Sequence, residues 1–396
     1  MTRKQLRIAV VHDWLVAKGG AERVLQAILE CYPQADVYSL VDFMPSPERD
    51  FLRSHAVHTS FMQRLPFAKR RYRAYLPLMP LAIEAFDVTG YDVVISSSFA
   101  VAKGVLTGPD QVHVSYIHSP MRYAWDLQHQ YLRAANLERG VRSMLTRWLL
   151  QRMRLWDART ANGVDGFVAN SHFIARRVWK AYRREATVVY PPVDTEFFSP
   201  TGEAREDFYL TASRLVPYKR IALIADAFAA MPERRLVIIG DGPDFERVCA
   251  RASPNVTLLG YQSAEVLRSH LRRAKAFVFA ALEDFGIAPV EAQACGTPVL
   301  AYGAGGVTET VVDGRTGLLF GEQSVAAILD VVERFERSTI PANGAGIRTN
   351  ALRFGAERFK LQLVAAVDSA LQRRAAGDEG IMEEHDVDGG WSAGGA

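Results

Sequence analysis

Short apolar runs alternate with amphipathic stretches along nearly the whole chain, and this alternation restricts the folds open to it more than any other feature. The first half carries such runs at residues 6–11, 93–95, 112–117 and 166–169. Between the first two, Gly19-Gly20-Ala21-Glu22-Arg23 opens a segment with Leu25, Ile28 and Leu29 on one helical face. The second half repeats the style with runs at 208–212, 235–239, 256–258 and 276–280. A strand apolar at successive positions is buried on both faces, the condition of a parallel sheet covered by helices on each side. At 396 residues the chain is long for one domain. The pattern therefore predicts an α/β protein of two doubly wound parallel-sheet domains.

Tyr190-Pro191-Pro192-Val193-Asp194 follows the apolar run Thr187-Val188-Val189. Paired prolines lack N–H donors and hold the chain extended, so they end the first sheet. The boundary is expected near 195–205, giving domains over 1–198 and 199–355. Phe359, Leu363, Val364, Val367 and Leu371 share helical spacing, which predicts a last helix within 356–376 that packs back toward the first domain. The Gly- and acid-rich residues 377–396 are expected to be disordered.

Apolar residues make up 49% and charged residues 23% of the chain, which excludes a mostly disordered, collagen-like or disulfide-scaffold protein. Cys31, Cys249 and Cys295 are far apart and none pairs at metal-ligand spacing, so a reducing, cytoplasmic compartment fits. The run at 8–11 is too short for a signal peptide, and no stretch of about 18 apolar residues predicts a transmembrane helix. Charge is unevenly placed. Residues 1–194 hold 26 Lys and Arg against 17 acids, residues 195–376 hold 21 of each, and residues 377–396 hold six acids and no base. The first half thus suits an anionic partner such as a lipid surface, a phosphate or a nucleic acid; a solvated basic face is the other reading. Two of its segments mix bases with large apolar residues. Residues 61–80 place Arg64, Lys69, Arg70, Arg71 and Arg73 among Phe, Leu and Tyr. In residues 139–160, Leu145, Trp148, Leu149, Met153 and Trp156 form one stripe, with Arg142, Arg147 and Arg154 largely opposite. That composition suits helices lying in a membrane interface; a core-facing stripe with a solvated back fits the same spacing.

The chemistry concentrates in residues 283–300, Glu-Asp-Phe-Gly-Ile-Ala-Pro-Val-Glu-Ala-Gln-Ala-Cys-Gly-Thr-Pro-Val-Leu. Pro289 suits a first helical turn, and Gly296 followed by Pro298 suits a helix end. Strand, loop and short helix follow in order, so N–H groups over 285–288 would face outward at the sheet's carboxyl edge as an anion site. Glu283 and Glu291 would flank it. A diphosphate with a polyol at each end suits such a site; a plain strand–helix unit with two solvated acids is the alternative.

This segment closely resembles the Glu-x7-Glu signature of the retaining glycosyltransferases of family 4, which have the GT-B architecture of two Rossmann-like domains with the active site in the cleft between them. Further segments resemble the family's loops: Ser213-Arg214-Leu215-Val216-Pro217-Tyr218-Lys219-Arg220, Ile239-Gly240-Asp241-Gly242-Pro243, Leu259-Gly260-Tyr261 and Gly305-Gly306-Val307-Thr308-Glu309 in the second half, and His12-Asp13-Trp14, Gly19-Gly20-Ala21-Glu22-Arg23 and His118-Ser119-Pro120 in the first. The likeness covers roughly residues 6–375. It implies that Arg214 and Lys219 neutralise a diphosphate leaving group. Glu291 would accept from ribose hydroxyls and Glu283 from those of the transferred sugar. Gly242 and the segment Asp284, Phe285, Gly286, Ile287 and Ala288 would complete the donor site, with Gly260 and Tyr261 at the base. Gly19 and Gly20 would bring N–H groups to the diphosphate, and His118 would hydrogen-bond the sugar and stabilise charge at its anomeric carbon. Solvated basic residues, a plain tight turn at Gly19 and Gly20, and a structural histidine before Pro120 are the competing readings.

Retention implies front-face attack, with a departing phosphate oxygen taking the acceptor's proton and no metal or other cofactor required; Asp284 beside Glu283 is too little for a metal site. The front-end motifs look most like bacterial mannosyltransferases of polysaccharide or O-antigen assembly. That likeness implies GDP-mannose as donor, a polyprenyl-diphosphate-linked saccharide as acceptor, and peripheral association with the inner face of the cell membrane, without a nucleic-acid partner. A UDP-sugar donor, a nucleotide-sugar epimerase and a non-catalytic binder of anionic lipid stay open. A phosphorylase would need a lysine-bound pyridoxal phosphate, for which no signal is evident. A dinucleotide oxidoreductase fits poorly, because Thr308 stands where the third glycine of its fingerprint belongs.

Overall fold

Two wholly parallel sheets organise the chain. The computed structural model describes residues 6–202, 204–340 and 345–388, with side chains as far as Ala376. The first sheet comprises β1 (Ile8–His12), β2 (Asp36–Ser39), β3 (Val57–Thr59), β4 (Val93–Ser98), β5 (Val112–Ile117), β6 (Gly166–Ala169) and β7 (Thr187–Val188), in the order β3-β2-β1-β4-β5-β6-β7. The second comprises β8 (Tyr209–Ala212), β9 (Leu236–Ile239), β10 (Val256–Leu258), β11 (Ala276–Phe279), β12 (Val299–Tyr302) and β13 (Gly317–Phe320), in the order β10-β9-β8-β11-β12-β13. Each sheet reverses its strand order once, between β1 and β4 and between β8 and β11. In doubly wound sheets, ligands bind beyond the carboxyl ends of the strands at such a reversal.

Side-chain alternation accounts for the burial of both faces. In the second sheet, Leu210, Ala212, Val237, Ile239, Phe277 and Phe279 enter one core cluster. Their neighbours Tyr209, Leu236, Ile238, Ala276 and Val278 enter the other. Successive strand residues point to opposite faces, so a run apolar at every position is what two covered faces require. Helices supply the covers. Ala264–Arg273 and Val325–Glu336 are opened by Ser263 and Ser324, whose hydroxyls accept from the N–H groups of Val266 and Ala327.

The chain divides into two compact units. Unit 1 runs from the N terminus to Ala169, continues through Ile174–Val189, and resumes at Lys360; unit 2 takes Asn170–Phe173 and Tyr190–Phe359. The change after Val189 lies earlier in the chain than the expected 198/199. The reason is packing: Val193 and Phe198 are buried in a unit 2 core with Tyr190 and Phe197 against them, so the paired prolines open unit 2 rather than link to it. The last helix, Ala356–Asp388, spans the expected 356–376 and extends past it. In unit 1 its Lys360 pairs with Glu30 at 3.2 Å. Residues 377–388 continue this helix, where disorder was expected from 377. Residues 389–396 of the expected tail lie outside the described residues.

Candidate active site

The unit 2 reversal brings two of the expected groups, Lys219 and Glu283, into contact. Beyond β8, a 3₁₀ turn over Pro217–Lys219 presents Lys219. Beyond β11 comes Glu283, and Lys219 Nζ lies 2.7 Å from Glu283 Oε1, with the two side chains 19% and 14% exposed. Arg214, on the same loop as Lys219, is exposed and makes no ion pair among the described residues. The Glu283 backbone is held by the loop after β12, where the Gly306 N–H donates to the Glu283 carbonyl at 2.8 Å. A Cβ at Gly306 would stand 2.2 Å from the Asp284 carbonyl oxygen, so only glycine permits this approach.

The helix Ile287–Ala294 begins at Gly286, whose φ of 88° belongs to the left-handed region. Gly286, Ile287 and Ala288 are half-buried and line its first turn, where backbone N–H groups lack intrahelical partners. Phe285 differs from its neighbours. Its ring is buried 5.5 Å from Phe354 and 5.7 Å from Tyr190, so its side chain serves the core. The Asp284 carbonyl accepts from the Ser171 hydroxyl at 2.6 Å. Glu291 is 3% exposed, inside the helix. Helix termination matches the sequence reading: Gly296, at φ 76°, follows the last turn.

Gly242 packs against the loop that carries Arg214. A Cβ there would lie 2.4 Å from the Leu215 carbonyl oxygen. The Leu215 N–H donates to the Asp241 carbonyl at 2.9 Å. Gly242 thus lets the loop after β9 support the loop that carries Arg214. The Gly260 carbonyl accepts from the Gly240 N–H at 2.8 Å, and Tyr261 beside it is 81% exposed.

In unit 1 the reversal is filled by its own groups. Asp13, fully buried just past β1, accepts four backbone N–H groups: from Phe99 (2.6 Å) and Ala100 (2.9 Å) on one oxygen, and from Val101 (2.6 Å) and Ala102 (2.7 Å) on the other. It holds the turn after β4. Gly19 and Gly20 start the helix Gly20–Cys31, but the Gly19 N–H is given to the Glu22 carboxylate three residues on, at 2.8 Å. Of the two glycines expected at a diphosphate, Gly19 thus has its N–H engaged by Glu22. Ser97 Oγ lies 3.1 Å from His12 Nδ1 and 2.8 Å from His118 Nε2. Burial, reinforced by His12 and Arg122, pushes the His118 pKa down to about 3, so the ring is neutral near pH 7.

Asp13, Glu22 and Ser97 went unassigned in the sequence. Burial of an acid or serine at a strand end or in a first helical turn has no signature in composition. Glu309 was likewise seen only as part of a loop motif. Its carboxylate accepts the N–H groups of His172 and Phe173, both at 2.8 Å, so it caps a helix start. Among the described residues, no three His, Cys, Asp or Glu side chains gather as a metal site.

The helix Val141–Thr160 turns differently from the expected stripe. Ser143, Leu150, Met153 and Asp157 face inward, whereas Val141, Met144, Leu145, Trp148 and Leu155 are more than half exposed. Asp157 sets this orientation. It is fully buried, pairs with Lys103 Nζ at 2.9 Å, and accepts from Trp125 Nε1 at 2.7 Å and the Tyr182 hydroxyl at 2.9 Å. A buried carboxylate must keep such partners, so the helix rotates to them and leaves an apolar face outside. Arg152 lies over the exposed Trp148 ring. No helix of the described residues is long and apolar enough to cross a membrane.

The family described as Glycosyltransferase Family 4 matches residues 18–197, and that described as Glycosyl transferases group 1 matches residues 193–348. A GDP-mannose-dependent alpha-(1-6)-phosphatidylinositol monomannoside mannosyltransferase of Mycolicibacterium smegmatis is 30% identical over 204 residues, covering 44% of this chain and 53% of the relative. A D-inositol 3-phosphate glycosyltransferase of Mycobacterium leprae is 28% identical over 260 residues, covering 58% of this chain and 59% of the relative. The chain thus spans about half the length of the curated relatives it matches. Among solved structures, sucrose-phosphate synthase from Thermosynechococcus elongatus has a TM-score of 0.72 at 17% identity, covering 93% of this chain and all of that one. HepE of Anabaena in complex with UDP and glucose has a TM-score of 0.69 at 19% identity, covering 92% and 100%. These two likenesses establish the fold.

Proposed function

Since this chain belongs to glycosyltransferase family 4 and has the GT-B fold, we propose that it is a retaining hexosyltransferase that moves mannose from GDP-mannose to a polyprenyl-diphosphate-linked saccharide in cell-surface polysaccharide assembly. The observation that carries the reading is the Lys219–Glu283 pair at the unit 2 reversal, with Arg214 on the same loop and a half-buried helix start just beyond Glu283. Cations and first-turn N–H groups suit a diphosphate, and a carboxylate suits sugar hydroxyls.

In the reaction, the acceptor hydroxyl oxygen forms a bond to the anomeric carbon as the bond from that carbon to the diphosphate oxygen breaks. The electron pair of the broken bond stays with the diphosphate, whose oxygen takes the acceptor's proton. Arg214, Lys219 and the N–H groups of the Gly286–Ala288 turn stabilise the departing charge, so that no metal is required. Glu283 holds hydroxyls of the transferred sugar, and Glu291 those of the ribose. Gly242 supports the Arg214 loop, and Tyr261 and Gly260 meet the base.

The GDP-mannose dependence of the Mycolicibacterium relative supports mannose and GDP as donor components. The UDP and glucose bound to HepE favour a second reading with a UDP-sugar. The basic unit 1 and the apolar face of Val141–Thr160 support an anionic membrane surface as partner, at its cytoplasmic side, where a lipid-linked acceptor would lie. Calorimetric titration with GDP, GDP-mannose, UDP and UDP-glucose, without added metal, tests the donor. Selective binding of GDP and GDP-mannose is expected. Selective binding of UDP and UDP-glucose would move the assignment to the second reading, and a folded sample that binds none would overturn the donor site.

A further inference from the structure

Residues 51–83 of unit 1 hold six Lys and Arg and no acid. After β3 they fold as a series of short turns, Phe61–Arg64, Ala68–Arg71, Tyr72–Leu78 and Met79–Glu84, rather than as one helix. Met62, Ala68, Tyr72 and Met79 turn inward and join a core cluster of unit 1. Arg64, Lys69, Arg70 and Arg71 are exposed, and none of the four makes an ion pair or a side-chain hydrogen bond among the described residues. The acids that border the segment are occupied. Asp50 pairs with Arg53 at 2.8 Å, and Glu84 accepts from Trp156 Nε1 at 2.7 Å.

Among these cations stands Phe67, 76% exposed and at φ 57°. A bulky side chain in the left-handed region is strained, and such strain persists only where the surroundings impose it. Here they do. The Phe67 carbonyl accepts from the N–H groups of Arg70 (3.0 Å) and Arg71 (2.9 Å), the Ala68 N–H donates to the Leu65 carbonyl at 3.1 Å, and the Tyr75 hydroxyl donates to the Pro66 carbonyl at 2.6 Å. The exposed ring returns no packing for this strain. The turn is also tied to the carboxyl end of β1. Gln63 exchanges two hydrogen bonds with the Asp42 backbone, at 2.8 and 3.0 Å, and the Trp14 and Tyr72 rings lie 5.3 Å apart.

A ring held outward beside four uncompensated cations suits a partner that is negative at its surface and apolar just beneath. A bilayer with anionic headgroups has both, and aromatic rings settle at its headgroup level. A nucleic acid fits less well. Single strands stack successive bases on several rings, whereas Phe67 alone of the large apolar residues over 61–78 is more than half exposed. Residues 64–78 also contain no Asn, Gln, Ser, Thr, Asp or Glu to read a base edge.

We infer that residues 64–71 form a membrane-insertion tip, on which Phe67 enters the headgroup layer of an anionic bilayer while Arg64, Lys69, Arg70 and Arg71 meet its phosphates. The tip brings the carboxyl rim of the first sheet to the membrane. This deepens the membrane reading above and rests on it for the bilayer, but it assigns the contact to a second place in unit 1, apart from the apolar face of Val141–Thr160.

Phe67→Asn tests the tip, because Asn adopts positive φ readily and lacks the ring. The full chain is sedimented with vesicles of phosphatidylglycerol and phosphatidylcholine, and with phosphatidylcholine alone. The parent should bind the first and not the second. Phe67→Asn should bind about tenfold more weakly, and the double variant Arg70→Gln, Arg71→Gln about thirtyfold more weakly. The urea midpoint of Phe67→Asn should equal or exceed that of the parent, since strain is relieved and no packing is lost. A Phe67→Asn chain that sediments like the parent, or that unfolds at lower urea, overturns the inference. So does loss of binding in Trp148→Ser, Leu155→Ser with full binding in both tip variants, which would leave the membrane reading standing on the helix alone. A parent that binds neither vesicle removes the membrane reading itself and the tip with it, and retention on RNA instead would assign the cations to a nucleic acid.

Discussion

The two sheet reversals share a strand order and differ in what they do with polar groups. In unit 1 the groups satisfy one another: Asp13 takes four N–H groups, Gly19 serves Glu22, and Ser97 joins two histidines. In unit 2 Arg214 is exposed, Lys219 and Glu283 have only each other as ion-pair partners among the described residues, and the Gly286–Ala288 turn is half-buried. The same topology can therefore build a preorganised wall or an open receptor. Which one results depends on whether the acids at the strand ends find backbone donors or a cation.

Replacing Lys219 with Ala should break the receptor and produce the largest effect. Turnover of the nucleotide sugar should fall by about 10²–10³ with the fold retained, as circular dichroism would verify; a fall of less than about tenfold would remove Lys219 from the leaving-group site. Asp13→Ala should break the wall. Four buried N–H groups lose their acceptor, so urea unfolding should show a stability loss on the order of 4 kcal/mol. A loss below about 1 kcal/mol would mean that the turn after β4 holds itself.

Acid should sharpen the contrast, because unit 1 keeps two histidines neutral. His113 is fully buried between Ser96 Oγ at 2.8 Å and the Gly163 carbonyl at 3.2 Å, and its pKa is pushed down by burial to about 4. That of His118 is pushed down to about 3. Both lie below the unfolded value of about 6.5. In that interval the unfolded chain binds more protons, so the stabilisation is complete above about pH 6.5 and is lost as pH falls through that value toward 4 and 3. The urea midpoint should drop over that range, and His113→Gln should flatten part of the drop; an equal slope in the variant would show that other groups carry it. The smallest effect concerns the outer faces. Replacing Trp148 and Leu155 together with Ser should weaken binding to phosphatidylglycerol vesicles by about tenfold, while Leu352→Ser on unit 2 should not. Equal sedimentation of the parent and the double variant would leave the apolar face of Val141–Thr160 without a lipid role.

Much of the architecture was legible because it depends on periodicity. The apolar runs at β1, β5, β8 and β11 and the helix stop at Gly296 all appear near their expected places. Strand residues that break the rule were not visible. β4 continues through Ser96, Ser97 and Ser98, whose hydroxyls are buried; Ser96 bonds to His113 and Ser115, and Ser97 bonds to His12 and His118. The helix Val141–Thr160 was legible as a helix, but its rotation was not, because one buried ion pair outweighs the apparent stripe. Within the site, the residue types at Arg214, Lys219 and Glu283 could be read in order. The contact between Lys219 and Glu283 could not, since they stand 64 positions apart in the chain.

The sequence by itself determined the fold class, the order of the elements, and the kinds of charge carried by the loops, because these follow from side-chain alternation and local backbone preference. Tertiary structure alone decided which of those charges are used up. Asp13 and Glu283 both follow strands at a reversal, yet one is enclosed by four N–H groups and the other faces a single ammonium. The difference lies in the partners that distant segments bring within hydrogen-bond reach. For a buried carboxylate that choice sets the free energy, and a one-dimensional pattern does not contain it.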